Sequence, residues 1–387
     1  MIFMPIYKME GKKDGLQKYR VRINYTDSSG KAKQTDRVAY GKEAAKALEL
    51  QLRSDIKTES VRNITIRQLY DEYIKVKQYE VRENTMRTVR GPLEQYVIPE
   101  LGDCRLKDLT VARLQRWKQK VEQAKSLKNP SKNISLMMKQ NIYGTFRTML
   151  NYAVRMEYIL KNPLLTVGNF KNPYEIKKEM MFYTPDEFRK FIAAARRAAT
   201  AAERLDGNTY EWNFYVFFSI AFYTGLRKGE INALKWTDIE GEILHVRRSI
   251  AQKLQGGDKE TPPKNRTSIR DLQMPAPLIK TLEVHRRRQE MLLGFNEDFR
   301  ICGGVRCLRN TTIQKRNVLY AESAGIKTIR IHDFRHSHAS LLANNGINIQ
   351  EIARRLGHSN VEITWNIYSH LYPREEEKAI AVLNKII

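Results

Sequence analysis

The carboxyl-terminal half of the chain carries six side chains whose types together suit chemistry on a phosphodiester. They are Arg227, Lys264, His332, Arg335, His358 and Tyr368. Two guanidinium groups can neutralise the equatorial oxygens of a pentacoordinate phosphorus without a metal ion. A tyrosine, with an ordinary pKa of about 10, needs such cations or a nearby base before it can act as a nucleophile.

The first arginine follows a largely apolar run. Phe217–Phe222 is succeeded by Thr224–Glu230, which reads Thr-Gly-Leu-Arg-Lys-Gly-Glu. This order places Arg227 where a buried helix meets a glycine turn. Because a buried guanidinium without a partner is costly, we expect Arg227 to contact either Glu230 or an anion from outside the chain.

Lys264 lies in Thr261–Thr267, a segment rich in proline and polar residues. Strand-like stretches at Glu242–Val246 and Ser268–Met274 flank it, so the segment is interpreted as a hairpin tip with a projecting lysine. Such a lysine could protonate the departing sugar oxygen as a general acid. Exposed turn lysines are also common without any function, and Lys259 is a nearby alternative.

The histidine-rich stretch allows two interpretations. His332 and His336 are four residues apart, like the two zinc ligands of an HExxH helix. However, Asp333 stands where that motif has glutamate, and Arg335 would place a cation beside the metal. We therefore favour His332 and Arg335, three apart, as a pair that holds one phosphate. His336 is interpreted, like His338, as a packing or supporting group.

His358 follows a glycine at an expected helix junction, and Tyr368 lies ten residues later. Tyr368 could also be an ordinary core tyrosine, and Tyr372 is an obvious competitor as nucleophile. No paired carboxylates suited to Mg²⁺ accompany the six side chains. We therefore predict no metal and no cofactor.

The charge of the chain indicates its partner. Its 387 residues include 68 Lys and Arg against 43 Asp and Glu, a net charge of +25 that is spread along the whole sequence. A polyanion is the simplest explanation for this self-repulsion, and nucleic acid is favoured over an anionic membrane. We find no membrane-spanning apolar run and no signal segment. The three cysteines form no CxxC pair, so we expect a soluble cytoplasmic protein without disulfides.

The elements that must position these side chains fall into three predicted domains. The chain is expected to be multidomain and mainly α-helical with small β elements. Residues 1–60 are predicted to form a small sheet backed by one helix, and residues 64–170 a helical bundle without strands. Residues 175–387 are predicted to form a mixed, mainly α domain that carries the six side chains.

The first domain shows the pattern of a sheet followed by a helix. Tyr19–Tyr25 alternates apolar or aromatic with polar residues, Asp27–Gly30 predicts a turn, and Thr35–Tyr40 a returning strand. A helix is predicted from Lys42 to Ile56. The polar face of the sheet carries Lys18, Arg20 and Arg22. This face could enter a DNA groove as β-ribbons do, or it could simply be solvated.

Helix starts are marked by capping residues in the other two domains. Thr65, Thr110 and Thr184 each precede a helical pattern, and Thr184 is followed by Pro-Asp-Glu. A long helix is predicted from Ile134 to Tyr158. The stretch Leu164–Glu179 is rich in Asn, Pro and Lys and is interpreted as a linker.

The order and spacing of these motifs resemble the tyrosine recombinase (phage-type integrase) family. The resembling residues are Thr224–Arg227, Lys264, His332–His336, Leu356–Ser359 and Tyr368–His370. The resemblance extends over the whole third domain. It implies an integrase of the mobile-element type, with an arm-binding domain at 1–60 and a helical core-binding domain at 64–170.

The resemblance implies a role for each site residue. Arg227 and Arg335 would bind the scissile phosphate, and His358 would hydrogen-bond one of its oxygens. His332 would assist proton transfer from the nucleophile.

The general acid would be Lys264 and the nucleophile Tyr368, which is preferred over Tyr372 because Ser369 and His370 follow it directly.

The resemblance also implies partners and an assembly. Double-stranded DNA at attachment or transposon-end sites would be cut through a 3′-phosphotyrosyl intermediate, and strands would be exchanged through a Holliday junction in a homotetramer. An excisionase-type accessory protein would be a further partner, with no membrane involved, and DNA binding would place the protein at the bacterial nucleoid. A carboxyl-terminal helix after Tyr372 would pack on its own core or on a neighbouring subunit.

Three rival functions remain open from the sequence. A DNA-binding regulator would need the basic helices but not six converging site residues. A type IB topoisomerase would share the site but lack the arm domain. A zinc hydrolase would use His332 and His336.

Overall fold

The computed structural model describes residues 6–26, 32–59, 64–126, 129–172, 180–254, 257–261, 266–372, 380 and 383–384. The chain divides into two compact units, Met1–Ile176 and Lys177–Ile387. Among the helices of the described residues, none is long and apolar enough to cross a membrane.

The first unit opens with an antiparallel sheet backed by one helix. Its elements are β1 (Ile6–Lys13), β2 (Leu16–Thr26), β3 (Ala32–Tyr40) and α1 (Lys42–Glu59), with strand order β1-β2-β3. Asp14 and Gly15 join β1 to β2 with positive φ angles of 51° and 75°, the conformation that Asp-Gly favours in a tight hairpin. The predicted strands and helix are confirmed, whereas the predicted turn at 27–30 lies outside the described residues.

The polar face of this sheet is partly neutralised. Arg20 and Arg22 both form ion pairs with Asp36, at 2.9 and 3.0 Å. Asp36 faces Arg22 across the β2–β3 register, so the two arginines share one carboxylate. These side chains are 29–42% exposed, and such pairs contribute little to stability.

The rest of the first unit is mainly helical. Its elements are α2 (Ile66–Glu80), α3 (Glu83–Tyr96), α4 (Ile98–Leu101), a 3-10 helix (Leu106–Asp108), α5 (Val111–Gln123), β4 (Lys125–Ser126), β5 (Asn129–Asn133), α6 (Leu136–Arg155) and α7 (Leu164–Val167). Thr65 caps α2 and Thr110 caps α5, as predicted. Around Leu69, Trp117 and Phe146 these helices bury one hydrophobic core.

The prediction that this region lacks strands is wrong. β4 and β5 pair as a short antiparallel hairpin between α5 and α6. Asn129–Asn133 is polar and exposed along its whole length, so it carries no apolar alternation that the sequence could have shown.

The second unit contains the remaining elements. Its helices are α8 (Pro185–Asp206), α9 (Trp212–Thr224), α10 (Lys228–Ala233), α11 (Ala276–Glu290), α12 (Asn310–Ser323), α13 (Asp333–Asn344), α14 (Ile349–Leu356) and α15 (Val361–Tyr368). Its strands are β6 (Ile239–Glu240), β7 (Ile243–Val246), β8 (Ser249–Leu254), β9 (Gly257–Thr261) and β10 (Arg270–Gln273). Short 3-10 helices lie at Trp236–Asp238, Arg266–Ser268 and Ser369–Leu371.

The core of this unit forms around α9. Apart from Tyr215 and Tyr223, every residue of that helix is buried, which is typical of a helix surrounded by others. α8, α11 and α13 pack against it. The last turn of α9 therefore lies in the core and leads directly to the predicted site residue Arg227.

The hairpin interpretation of Thr261–Thr267 is wrong. β7 and β10 do pair antiparallel, in a sheet of order β10-β7-β6. A separate hairpin, β8–β9, lies between them in sequence, so Thr261 ends β9 and the segment is not the tip joining β7 to β10. Lys264 itself lies outside the described residues, as does most of the chain after Tyr372 that was predicted to form a helix.

Candidate active site

Gly225 ends α9 and turns the chain toward Arg227. It has a left-handed φ of 67°, which glycine adopts without steric cost. A Cβ atom here would lie 2.8 Å from Cδ2 of His338 and 2.9 Å from Cδ2 of Leu356. The turn therefore requires glycine for its backbone angle and for space, and α10 begins directly after Arg227.

Glu230 is a buried carboxylate that joins Arg227 to a second arginine, Arg270. Arg227 Nη1 lies 2.9 Å from Glu230 Oε1, and Arg270 Nη2 lies 3.0 Å from Glu230 Oε2. Burial raises the pKa of Glu230, but the two guanidinium groups outweigh it and hold the pKa below its ordinary value. Glu230 is thus the expected partner of Arg227, whose side chain remains 38% exposed.

Arg335, on α13, is the buried arginine among the predicted site residues. Its Nη1 donates to the carbonyl oxygen of Gly225 at 2.9 Å, and its Nη2 to that of Leu356 at 2.7 Å. Burial, followed by repulsion from Arg227, lowers its pKa to about 9. The guanidinium is therefore still charged at neutral pH. Carbonyl oxygens carry no full negative charge, so an incoming anion would be strongly favoured beside it.

Gly357 ends α14 with a left-handed backbone conformation, and His358 follows it directly. Its φ is 65°, and a Cβ atom there would lie 2.9 Å from Arg270 Nη1. His358 Nδ1 lies 2.8 Å from Thr364 Oγ1. Burial, and then the charge of Arg335, lowers the pKa of His358 to about 4. The ring is consequently neutral at physiological pH.

Tyr368 is the last residue of α15 and is only 1% exposed. Its Oη lies 2.6 Å from Nδ1 of His336 on α13. Burial raises the pKa of Tyr368 above its ordinary value of 10.0, and Arg335 opposes this shift. The phenol is therefore protonated at neutral pH, and an imidazole is in direct contact with its hydroxyl.

His332 directly precedes α13 and lies against His336. The centroids of the two rings are 5.2 Å apart, with the planes at 88°. Burial, and then the charges of Arg335 and Arg227, lower the pKa of His332. His332 is therefore within electrostatic range of both predicted phosphate-binding arginines and touches the ring that contacts Tyr368.

Tyr372, the competing nucleophile, has a different environment. Its hydroxyl donates to the carbonyl oxygen of Ile347 at 2.6 Å, and burial raises its pKa. The hydroxyl of Tyr368 instead contacts an imidazole beside a buried guanidinium. This difference favours Tyr368.

The sequence profile of the phage integrase family matches residues 182–375, half of the chain and the part that holds this cluster. The chain belongs to the phage integrase family. It is accordingly a tyrosine-type site-specific DNA recombinase. A second profile, the amino-terminal SAM-like domain of phage integrases, matches residues 65–121.

Two curated relatives of this integrase align over nearly its whole length. It is 26% identical to the ICEBs1 integrase of Bacillus subtilis (strain 168) over 401 residues, covering 99% of this chain and 100% of the relative. It is 28% identical to a XerC-like tyrosine recombinase of Caldanaerobacter subterraneus subsp. tengcongensis over 406 residues, covering 97% of each.

Solved structures confirm the predicted fold class. The integrase is similar to the Tn1549 transposon integrase in complex with a circular intermediate DNA, with a TM-score of 0.62 and 19% identity over 84% of this chain and 100% of that one. A lambda integrase tetramer bound to a Holliday junction gives a TM-score of 0.55 and 16% identity, covering 96% and 97%.

Five of the six predicted site residues converge in one cluster of the integrase. They are Arg227, His332, Arg335, His358 and Tyr368. Lys264 lies outside the described residues. The described part of the chain contains no set of three His, Cys, Asp or Glu side chains that could hold a metal.

Two residues of the cluster were missed from the sequence. His336 was interpreted, like His338, as a packing or supporting group, without a direct contact to the nucleophile. His338 does pack, with its Nδ1 2.9 Å from the carbonyl oxygen of Phe222. His336 instead contacts Tyr368. Arg270 was not singled out, although an arginine alternating with Leu272 on the inward face of a strand is a signal of a buried ionic partner.

Proposed function

We propose that this integrase cuts DNA by attack of Tyr368 on a phosphodiester, forming a 3′-phosphotyrosyl link and releasing a 5′-hydroxyl. The contact between Tyr368 and His336, beside the buried Arg335, is the observation that supports this proposal most. The phosphotyrosyl bond conserves the energy of the phosphodiester, so rejoining requires no nucleotide hydrolysis.

Arg227 and Arg335 bind the scissile phosphate. One is partly exposed and aligned by Glu230, and the other is buried against carbonyl oxygens. Fixed cations of this kind stabilise charge that develops on the equatorial oxygens of the transition state. Arginine suits the task because its planar guanidinium can contact two oxygens at once.

The histidines and the lysine complete the proposed site. His358 donates a hydrogen bond to a phosphate oxygen, and His332 assists proton transfer from the nucleophile. Lys264 protonates the departing 5′ oxygen as a general acid. This last role rests on the family pattern at that position.

The partner is double-stranded DNA, engaged by an arm-binding domain at 1–60, a core-binding domain at 64–170 and the catalytic domain at 175–387. The net charge of +25 supports this. Similarity to a lambda integrase tetramer bound to a Holliday junction supports a tetramer that exchanges strands through such a junction. An excisionase-type partner and a cytoplasmic location at the nucleoid complete the proposal.

Substitution of the nucleophile tests the proposal. The DNA that flanks the coding region supplies candidate attachment sites, and a nicked duplex spanning such a site traps the covalent complex. Tyr368→Phe should bind this duplex with unchanged affinity and form no covalent adduct. Tyr372→Phe should form the adduct normally. An adduct that persists in Tyr368→Phe, or is lost only in Tyr372→Phe, would overturn the assignment.

A further inference from the structure

The imidazole of His336 is the group in contact with the hydroxyl of Tyr368. Its Nδ1 lies 2.6 Å from the phenolic oxygen, a distance typical of a short hydrogen bond. His336 lies one helical turn after His332, whose ring touches that of His336 edge-on. The family pattern assigns proton transfer to His332, whereas in the structure the histidine in direct contact with Tyr368 is His336.

The direction of this hydrogen bond follows from the charges of the two groups. Burial, followed by the charge of His332, lowers the pKa of His336 to about 4, so the ring is neutral. The buried phenol of Tyr368 is protonated and must donate. Nδ1 is therefore the unprotonated acceptor, and the ring proton resides on Nε2.

We propose that His336 is the general base that accepts the phenolic proton of Tyr368 during cleavage. In this step the Tyr368 oxygen forms a bond to phosphorus, the bond from phosphorus to the 5′ oxygen breaks, and the phenolic proton moves to Nδ1 of His336. The 5′ oxygen takes its proton from the separate general acid. In rejoining, the 5′-hydroxyl attacks the phosphotyrosyl bond and His336 returns the proton to Tyr368. This inference rests on Tyr368 being the nucleophile.

The charged groups near His336 are compatible with this role. Those that affect it are His332, Asp333, Arg330 and Arg335. Asp333 is buried and forms an ion pair with Arg330 at 2.8 Å, so its charge is largely compensated. The two arginines disfavour an imidazolium in the free protein. A bound phosphate would offset them and favour protonation of His336 as the phenol ionises.

The variant His336→Asn distinguishes two possible roles of His336, that of a general base and that of a hydrogen-bond acceptor only. Asparagine can place its Oδ1 near the position of Nδ1 and can still accept a hydrogen bond, but it cannot take up the proton. We expect single-turnover cleavage of the nicked duplex to slow by about 10²–10⁴-fold, the usual contribution of a general base. DNA affinity and the thermal midpoint should stay close to those of the wild type.

The pH dependence of the cleavage rate shows whether the function lost in His336→Asn is that of a general base. Without a base, attack requires the ionised phenolate, whose fraction rises about tenfold per pH unit below the phenol pKa. The cleavage rate of His336→Asn should therefore rise steeply between pH 6.5 and 9, while the wild-type rate changes little. Replacing Tyr368 with a fluorotyrosine, a more acidic phenol, should restore part of the rate in His336→Asn.

A substrate with a thiolate leaving group distinguishes the loss of the general base from the loss of the general acid. A duplex with a bridging 5′ sulfur at the scissile bond needs no proton on its leaving group, so it should restore cleavage to Lys264→Ala but not to His336→Asn. His332→Asn is the comparison variant. Its cleavage should slow, because His332 assists proton transfer, but its rate should not rise steeply with pH, because His336 remains in contact with Tyr368 and still accepts the proton.

Three results would overturn the inference. The first is wild-type cleavage by His336→Asn, and the second is a loss that neither pH nor fluorotyrosine changes. The third is the steep pH dependence appearing in His332→Asn instead. In each case a Tyr368-dependent adduct would still support the proposed function, whereas an adduct in Tyr368→Phe would refute the function itself.

Discussion

At the scale of single residues, Glu230 carries one negative charge between Arg227 and Arg270. Both Glu230 and Arg270 are 4% exposed, so neither charge is solvated if its partner is removed. Breaking a buried ion pair in this way typically costs about 3–5 kcal/mol. We expect Glu230→Gln to lower the free energy of unfolding by this amount, as measured by urea denaturation.

A surface pair provides the matched control for that substitution. Glu351 and Arg354 lie 2.6 Å apart, but their side chains are 40% and 54% exposed. Exposed pairs contribute about 0–1 kcal/mol, so Glu351→Gln should change the free energy of unfolding little. Equal losses in the two variants would contradict the buried network described for Glu230.

Buried neutral histidines predict a dependence of stability on pH. Burial lowers the pKa of His285 to about 4 and that of His338 to about 3, from an ordinary value of 6.5. Between pH 6.5 and these values the unfolded chain binds protons that the folded chain does not, so stability falls as the pH falls. Urea midpoints should therefore be lower at pH 5 than at pH 7.5. An unchanged midpoint would contradict the burial of these neutral rings.

At the scale of elements, two helices end in the same way but in different surroundings. Gly225 ends α9 and Gly207 ends α8, with φ angles of 67° and 68°. A Cβ at Gly225 would collide with His338 and Leu356, while nothing lies within 4 Å of one at Gly207. Both alanine variants pay about 1–2 kcal/mol for the left-handed backbone.

Only Gly225→Ala also overpacks the core, which costs about 1–3 kcal/mol more. We expect thermal or urea unfolding to show this difference, together with a loss of cleavage because the turn presents Arg227. Equal destabilisation by Gly207→Ala and Gly225→Ala would contradict this prediction, because it would show that the core near His338 accommodates the added Cβ atom without cost.

The elements also show what the sequence could predict. Helix starts at Thr65, Thr110 and Thr184 were predictable because capping is local chemistry between neighbouring residues. The β4–β5 hairpin was not, because both of its strands are short and polar. The β8–β9 hairpin was not, because β8 reads Ser-Ile-Ala-Gln-Lys-Leu without strict alternation and β9 is polar. The contact of His336 with Tyr368 joins residues 32 positions apart. No local pattern in the sequence reveals such a contact. The sequence therefore identified α13 as part of the site but not His336 as the residue in contact with Tyr368.

At the scale of the whole molecule, the net charge of +25 predicts how the integrase binds DNA. Each phosphate neutralised releases counterions, so six to ten such contacts would lower affinity by roughly 10³–10⁵ between 50 and 200 mM salt. Fluorescence anisotropy with a labelled duplex should show this steep slope. Tyr368→Phe should give the same slope, since it removes no positive charge. A flat salt dependence would argue against a phosphate-dominated interface.

Mass spectrometry of the trapped complex can show directly whether Tyr368 becomes covalently joined to DNA. After capture on a nicked duplex and digestion with protease and nuclease, one peptide should carry a nucleotide. We expect this nucleotide to be linked through its 3′ phosphate to Tyr368. A nucleotide on Tyr372 or on any other residue would contradict it.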